Sequence, residues 1–367
     1  MKNILSSVAM LLCVFGCASN NPEIKTIRLN VDPEPVSSKG GQVDDLFLVP
    51  VDETVAIGQF GRVEMISIDH TSGKELNRLD IVAVANLVDE LVAAVLGEEY
   101  YVPEMGDEYL KRRVYVGEVP HSFHKFVHHP EMDRFSLFVR HVIFNRENPE
   151  DQQLFDVMLF FDEDFENLEA IPLDYINRGP SFGFSGGGFF LDSNRLFTKR
   201  IGFRHQDPFD FVEYELVDNA YFKLVDTLMG INTSKTGHGA RFFTTFDLDD
   251  YTYLNLGTGL HYFEGSDIRS GDFLPFPVDS TYSCLYIEPL NVDFLVAYFV
   301  NDFGNEPDAI GQLVLLDRDL KSVEIIEEFD LTELRFSSFF VYDEVVSLIN
   351  YKWEDEEFYL TRYANLR

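Results

Sequence analysis

Leu46 to Val51 reads LFLVPV, and comparable runs follow along the chain: LVAAVL at 91–96, FSLFVRHVIF at 135–144, DVMLFF at 156–161, FVEYELV at 211–217, RFFTTF at 241–246, FLVAYFV at 294–300, QLVLL at 312–316 and RFSSFFVY at 335–342. They are short, rich in Val, Leu, Phe and Tyr, and many are apolar at consecutive positions. A strand with one wet face alternates apolar and polar residues, so a run that does not alternate has both faces covered. The 35 phenylalanines point the same way, toward a large interior packed with rings. Past the first twenty residues, no amphipathic helix of three turns or more is expected.

An acidic signature separates these runs. Val51-Asp52-Glu53, Val88-Asp89-Glu90, Glu131-Met132-Asp133, Asp192-Ser193-Asn194, Asp249-Asp250, Asn291-Val292-Asp293 and Asp343-Glu344 recur at intervals of about 37 to 60 residues. Asp and Asn suit tight turns because their side chains bond nearby backbone amides. A second set of turns, between outer strands, is marked by LFFDEDFENLEAIPLD at 159–174 and VLLDRDLKSVEIIEEFD at 314–330, which share an apolar triplet followed by Asp-x-Asp.

Repeats of about 40–50 residues, each with about four short strands, predict an all-β chain folded as a β-propeller. Each blade is then sandwiched between two others, which explains why both strand faces are apolar. Seven acidic turns predict seven four-stranded blades, with six as the alternative count; a pair of β-sandwiches and a right-handed solenoid are the other compatible architectures. The last unit offers strands only at 335–342, 345–353 and 358–363. The orphan segment Ile24-Lys25-Thr26-Ile27-Arg28-Leu29 is expected to supply the fourth and close the ring, leaving no open edge. His128–Phe138, HHPEMDRFSLF, resembles the turn and following strand of TolB-type propellers, with Pro130 and acidic Glu131 matching and the family glycine absent.

The first residues carry an address. Met1-Lys2-Asn3 supplies one positive charge, and Ile4 to Phe15 is almost wholly apolar, a length that suits a signal-peptide core rather than a membrane span. Val14-Phe15-Gly16-Cys17 resembles the lipobox of bacterial lipoproteins. The resemblance implies a diacylglycerol on the Cys17 thiol, cleavage before Cys17 and acylation of the new amine. The domain reading is 1–16 as signal peptide, 17–23 as lipidated linker and 24–367 as one propeller. Cys13 would leave with the signal and Cys17 would be alkylated, so Cys284 alone remains, with no intramolecular disulfide.

Formal charge is −34, from 29 basic and 63 acidic residues. Such a surface repels phosphate backbones, which argues against a nucleic-acid partner. Lipobox, acidity, unpaired Cys284 and degenerate blades together resemble β-propeller lipoproteins of Bacteroidetes. That likeness implies an exported protein, lipid-anchored to the outer membrane and facing the periplasm or the surface.

No motif for catalysis stands out. His-Glu-x-x-His is absent, and the glycines of FGFSGGGFFLDS lack the partners of a phosphate-cradling loop. Five of nine histidines, His121, His124, His128, His129 and His141, fall close together. Without converging cysteines or placed second-shell acceptors they read as strand and loop residues, so no metal and no cofactor is expected. Ligand-binding candidates at a channel mouth are His129, Arg178, Arg204, His205, His238 and Arg241. The expected function is non-enzymatic binding or scaffolding, through a glycan, peptide or envelope protein. A propeller hydrolase or lyase acting on polysaccharide is the alternative. Clustering of the six candidates beside carboxylates would favour the enzyme, and a channel plugged by rings the binder.

Overall fold

The computed structural model describes residues 23–31, 46–60, 64–102, 123–129, 133–148, 152–173, 184–192, 195–200, 210–218, 221–228, 245–265, 267–301, 309–321 and 323–366. The segment expected to be a signal peptide and Cys17 lie outside them. The described chain enters with β1 (Glu23–Arg28) and then forms sheets in sequence order. The first holds β2 (Leu46–Pro50), β3 (Val55–Phe60), β4 (Glu64–Asp69) and β5 (Lys74–Arg78); the second holds β6 (Tyr100–Tyr101), β7 (Phe123–His129), β8 (Arg134–Asn145), β9 (Gln152–Phe161) and β10 (Glu169–Pro172). The third is β11 (Phe184–Asp192), β12 (Arg195–Arg200), β13 (Asp210–Val217) and β14 (Tyr221–Leu228). The fourth is β15 (Thr245–Leu248), β16 (Tyr251–Asn255), β17 (Gly259–Glu264) and β18 (Asp272–Pro275). The fifth is β19 (Ser283–Pro289), β20 (Phe294–Val300), β21 (Ile310–Asp317) and β22 (Val323–Asp330). In the last, β23 (Leu334–Tyr342), β24 (Val345–Lys352) and β25 (Glu357–Ala364) are joined by β1, paired antiparallel from Glu23↔Ala364 to Arg28↔Tyr359.

Among the described residues, apolar clusters join most of the consecutive sheets. Leu48, Ile66, Phe340 and Leu360 join the last sheet to the first. Ile57, Met65, Leu137 and Val157 join the first to the second, and Met158, Phe160, Tyr214 and Phe222 the second to the third. Leu260, Phe299 and Val314 lie between the fourth and fifth, and Tyr298, Leu313, Phe339 and Leu348 between the fifth and the last. Sheets packed face to face in chain order, with the last against the first, make a β-propeller. Burial follows position within a sheet. All of β20 except Phe294 is buried, whereas β1 is exposed at every position but Ile27.

The expected count of seven blades, and its alternative of six, are both corrected: five sheets are regular four-stranded blades. The second sheet breaks the pattern. Its β8 is 12 residues long and pairs on one side with two strands, with β7 along its first half and with β6 at Phe144 and Asn145. The surplus blade came from Val88-Asp89-Glu90. That triplet is no turn but the middle of a helix, α1 (Ile81–Leu96), which also contains LVAAVL. The expectation of no helix past the signal is thus overturned as well. Val84, Val88 and Val92 stand four residues apart and form one buried stripe against the first and second sheets. Asp89 is half-buried beside this stripe and accepts the Val102 N–H at 2.7 Å. The helix ends at Gly97, whose φ of 107° suits a residue without a Cβ. Strand propensity of Val misled the local reading; tertiary packing of the stripe decides it.

Of the other six acidic turns, four fall between the first two strands of a sheet in chain order, Asp343-Glu344 falls between β23 and β24 of the last sheet, and Glu131-Met132-Asp133 falls between β7 and β8 of the second sheet. The Asp-x-Asp pair is structurally equivalent too. Asp162 and Asp317 each accept the amide four residues on (Glu166 and Lys321, both 2.6 Å), and their carbonyls accept Phe165 N and Leu320 N. Phe165 and Leu320 both turn at positive φ and bury their side chains.

Candidate functional site

Several turn carboxylates are occupied by their own backbone. Asp52 accepts Thr54 N, Thr54 Oγ1 and Val55 N at 2.6–2.9 Å. Asp69 accepts Thr71 N, Thr71 Oγ1, Ser72 N and Ser72 Oγ, and Asp279 and Asp330 each hold the threonine two residues on in the same way. Hydrogen bonds to the ionised form hold Asp52, led by the Val55 amide, and Asp69, led by the Thr71 hydroxyl, below the ordinary carboxylate range. These acids are structural.

One carboxylate behaves differently. Glu163, in the β9–β10 turn, is pushed up by partial desolvation and then by the charges of Asp164, Asp133, Asp52 and Asp162, which reach it from three turns of two sheets. Asn77 Nδ2 donates to Asp164 at 3.3 Å across the same gap. Among the described residues, no group of three or more His, Cys, Asp and Glu is arranged to hold a metal ion.

The fourth sheet carries an aromatic row. Register places Phe246, Tyr253 and Tyr262 side by side on β15, β16 and β17, with Asp272 next on β18. Phe246 stacks on Tyr253 at 5.1 Å and 1°, Tyr253 on Tyr262 at 5.7 Å and 23°, and Tyr251 meets Tyr262 edge to face at 5.7 Å. Phe246, Leu248 and Tyr253 lean on the core shared with the fifth sheet, so the row lines the seam between the two sheets. Tyr251 is 39% exposed. Arg318, from the β21–β22 turn of the fifth sheet, crosses the seam to pair with Asp249. Burial raises the Tyr253 hydroxyl above its ordinary pKa, so it stays protonated as a donor.

Of the six sequence candidates, the described residues include one. His129 ends β7 opposite Arg134. Arg178, Arg204, His205, His238 and Arg241 fall outside the described residues. They belong to segments that join β10 to β11, β12 to β13 and β14 to β15 in sequence. Cys284 is buried, its Sγ donating to Tyr286 O at 3.2 Å, and desolvation pushes its thiol far above the ordinary range, as befits an inert core residue. The aromatic row escaped the sequence reading. Its only local signal was Tyr251-x-Tyr253, because Tyr262 and Arg318 join it through sheet register and sheet packing.

No family model matches the chain, and no curated protein matches it. Solved structures share a loose likeness. The computationally designed Ika8 protein is 9% identical over 92% of this chain and 98% of its own length, with a TM-score of 0.38. A TolB-like protein from Agrobacterium tumefaciens is 10% identical over 94% and 99%, with a TM-score of 0.40. YCF48, solved bound to a D1 peptide, is 5% identical over 93% and 97%, with a TM-score of 0.42. The propeller assignment rests on sheet order and core, not on these scores.

Proposed function

We propose that this protein is a non-enzymatic binding propeller, held at the outer membrane by a lipid on Cys17, and that its ligand is a glycan docked at the seam between the fourth and fifth sheets. The aromatic row carries this reading. Tyr251 offers an exposed ring for the C–H face of a sugar. The phenol edges of Tyr253 and Tyr262, together with Asp249, Asp272 and Arg318, offer donors and acceptors for its hydroxyls. An exposed ion pair such as Asp249–Arg318 is screened by water, so a ligand can recruit either partner at little cost. The lipobox-like Val14-Phe15-Gly16-Cys17 supports the envelope address. The alternative, a hydrolase or lyase of polysaccharide, has one observation on its side, the raised Glu163 beside four aspartates; one acid of such a pair must hold a proton.

A glycan array probed with the purified protein tests both readings. Binding to at least one glycan is expected, weakened about tenfold or more when Tyr251 and Tyr262 are both replaced by Ala, with the melting temperature little changed. Binding that survives the double replacement would remove the seam as the site. Glycans shortened during incubation, with shortening lost in Glu163→Gln, would put the enzyme ahead.

A further inference from the structure

We propose that His70 is a pH-sensitive latch on the closure of the ring, protonation of its imidazole loosening the grip of the 69–73 turn on the chain segment that follows β1. That turn is where the segment docks. Asn30 N donates to Gly73 O at 2.8 Å, Asn30 lies parallel to Lys74 in a β-bridge, and Leu29 N donates to Phe358 O at 2.9 Å, so residues 29 and 30 tie the last sheet to the first. Gly73 has a φ of 76°, and a Cβ there would strike the Arg28 carbonyl.

His70 sits in the middle of this turn with no exposed surface. Its backbone N–H donates to Thr54 O at 2.8 Å, and its ring meets Phe340, on β23 of the last sheet, edge to face at 5.6 Å. Nε2 lies 3.2 Å from the Asp52 carbonyl. A carbonyl only accepts, so Nε2 carries the ring proton and Nδ1 is the bare nitrogen. Nδ1 is buried and has no hydrogen-bond partner among the described residues. Protonation would place both a charge and an unanswered N–H there.

The charged groups facing the ring are Asp69 of its own turn, Asp52 of the β2–β3 turn and Arg362 of β25. The two carboxylates favour the charged ring, but both are already engaged by Thr54, Val55, Thr71 and Ser72. Desolvation and Arg362 oppose it, and the ring is held below its ordinary value. The sign follows. Above a pH of about 6.5 closed and open states are both neutral. Below it only the open state takes the proton, so opening gains about tenfold per pH unit until the folded ring titrates.

Hydrogen–deuterium exchange of the full chain at pH 7.5 and 5.5, corrected for intrinsic rates, tests the latch. Protection of residues 23–31 and 69–74 is expected to fall several-fold at the lower pH, with β19–β22 unchanged, and the fall should vanish in His70→Gln. Arg362→Gln, which removes the opposing charge and leaves the imidazole in place, should shrink the fall. An equal fall in His70→Gln, an undiminished fall in Arg362→Gln, or no fall in the unaltered chain would each overturn the proposal.

Discussion

A short carboxylate can satisfy two or three backbone and hydroxyl donors at a turn, and six aspartates of this chain act in that way. Asp52, Asp69, Asp162, Asp279, Asp317 and Asp330 each bond amides two to four residues ahead. Local spacing is enough to reveal such a role, which is why the acidic turns were legible residue by residue. Close packing between strands is not legible in that way. Gly311 on β21 sits under the fully buried Tyr298 of β20, and a Cβ added there would overlap the phenol oxygen. Gly311→Ala is therefore expected to destabilise by about 1–3 kcal/mol in denaturant unfolding. Adding Tyr298→Phe should recover part of the loss, because the hydroxyl is the first atom met. A silent Gly311→Ala would show that the strand pair can relax.

At the scale of elements, β1 shows which contacts of a closing strand matter. Its backbone completes the last sheet, yet Ile24 is 54% exposed and only Leu29, just beyond the strand, is buried. Leu29→Ala is expected to cost about 2–5 kcal/mol, a large share of the roughly 5–15 kcal/mol that holds a typical domain. Ile24→Ser should stay within about 0.5 kcal/mol. Equal effects in thermal melts would refute this division. The helix teaches the converse lesson. Val84, Val88 and Val92 have helical spacing, but valine favours strands, and only the first and second sheets packed against that stripe resolve the conflict.

For the molecule as a whole, the proposed anchor and the ring closure share one short stretch of chain. β1 begins at Glu23, six residues past Cys17, a tether of about 20 Å when extended. Cys17→Ser offers no thiolate to alkylate and is expected to abolish incorporation of a fatty-acid probe in cells, with the protein leaving the membrane fraction. Undiminished label on the variant would exclude lipidation there.

Strand runs apolar on both faces, turn carboxylates that bond their own backbone and an unpaired first segment were sufficient, from the sequence, for a closed ring of antiparallel blades. Those signals work over a few residues, the range over which hydrogen bonding and side-chain alternation act. The helix between the first two sheets, the number of regular blades and the split inner position of the second sheet depended on which faces found partners, which no local pattern encodes. The aromatic row belongs with them. Phe246, Tyr253, Tyr262 and Arg318 are spread over about 70 residues and meet only because strand register and the packing of two sheets bring them to one seam.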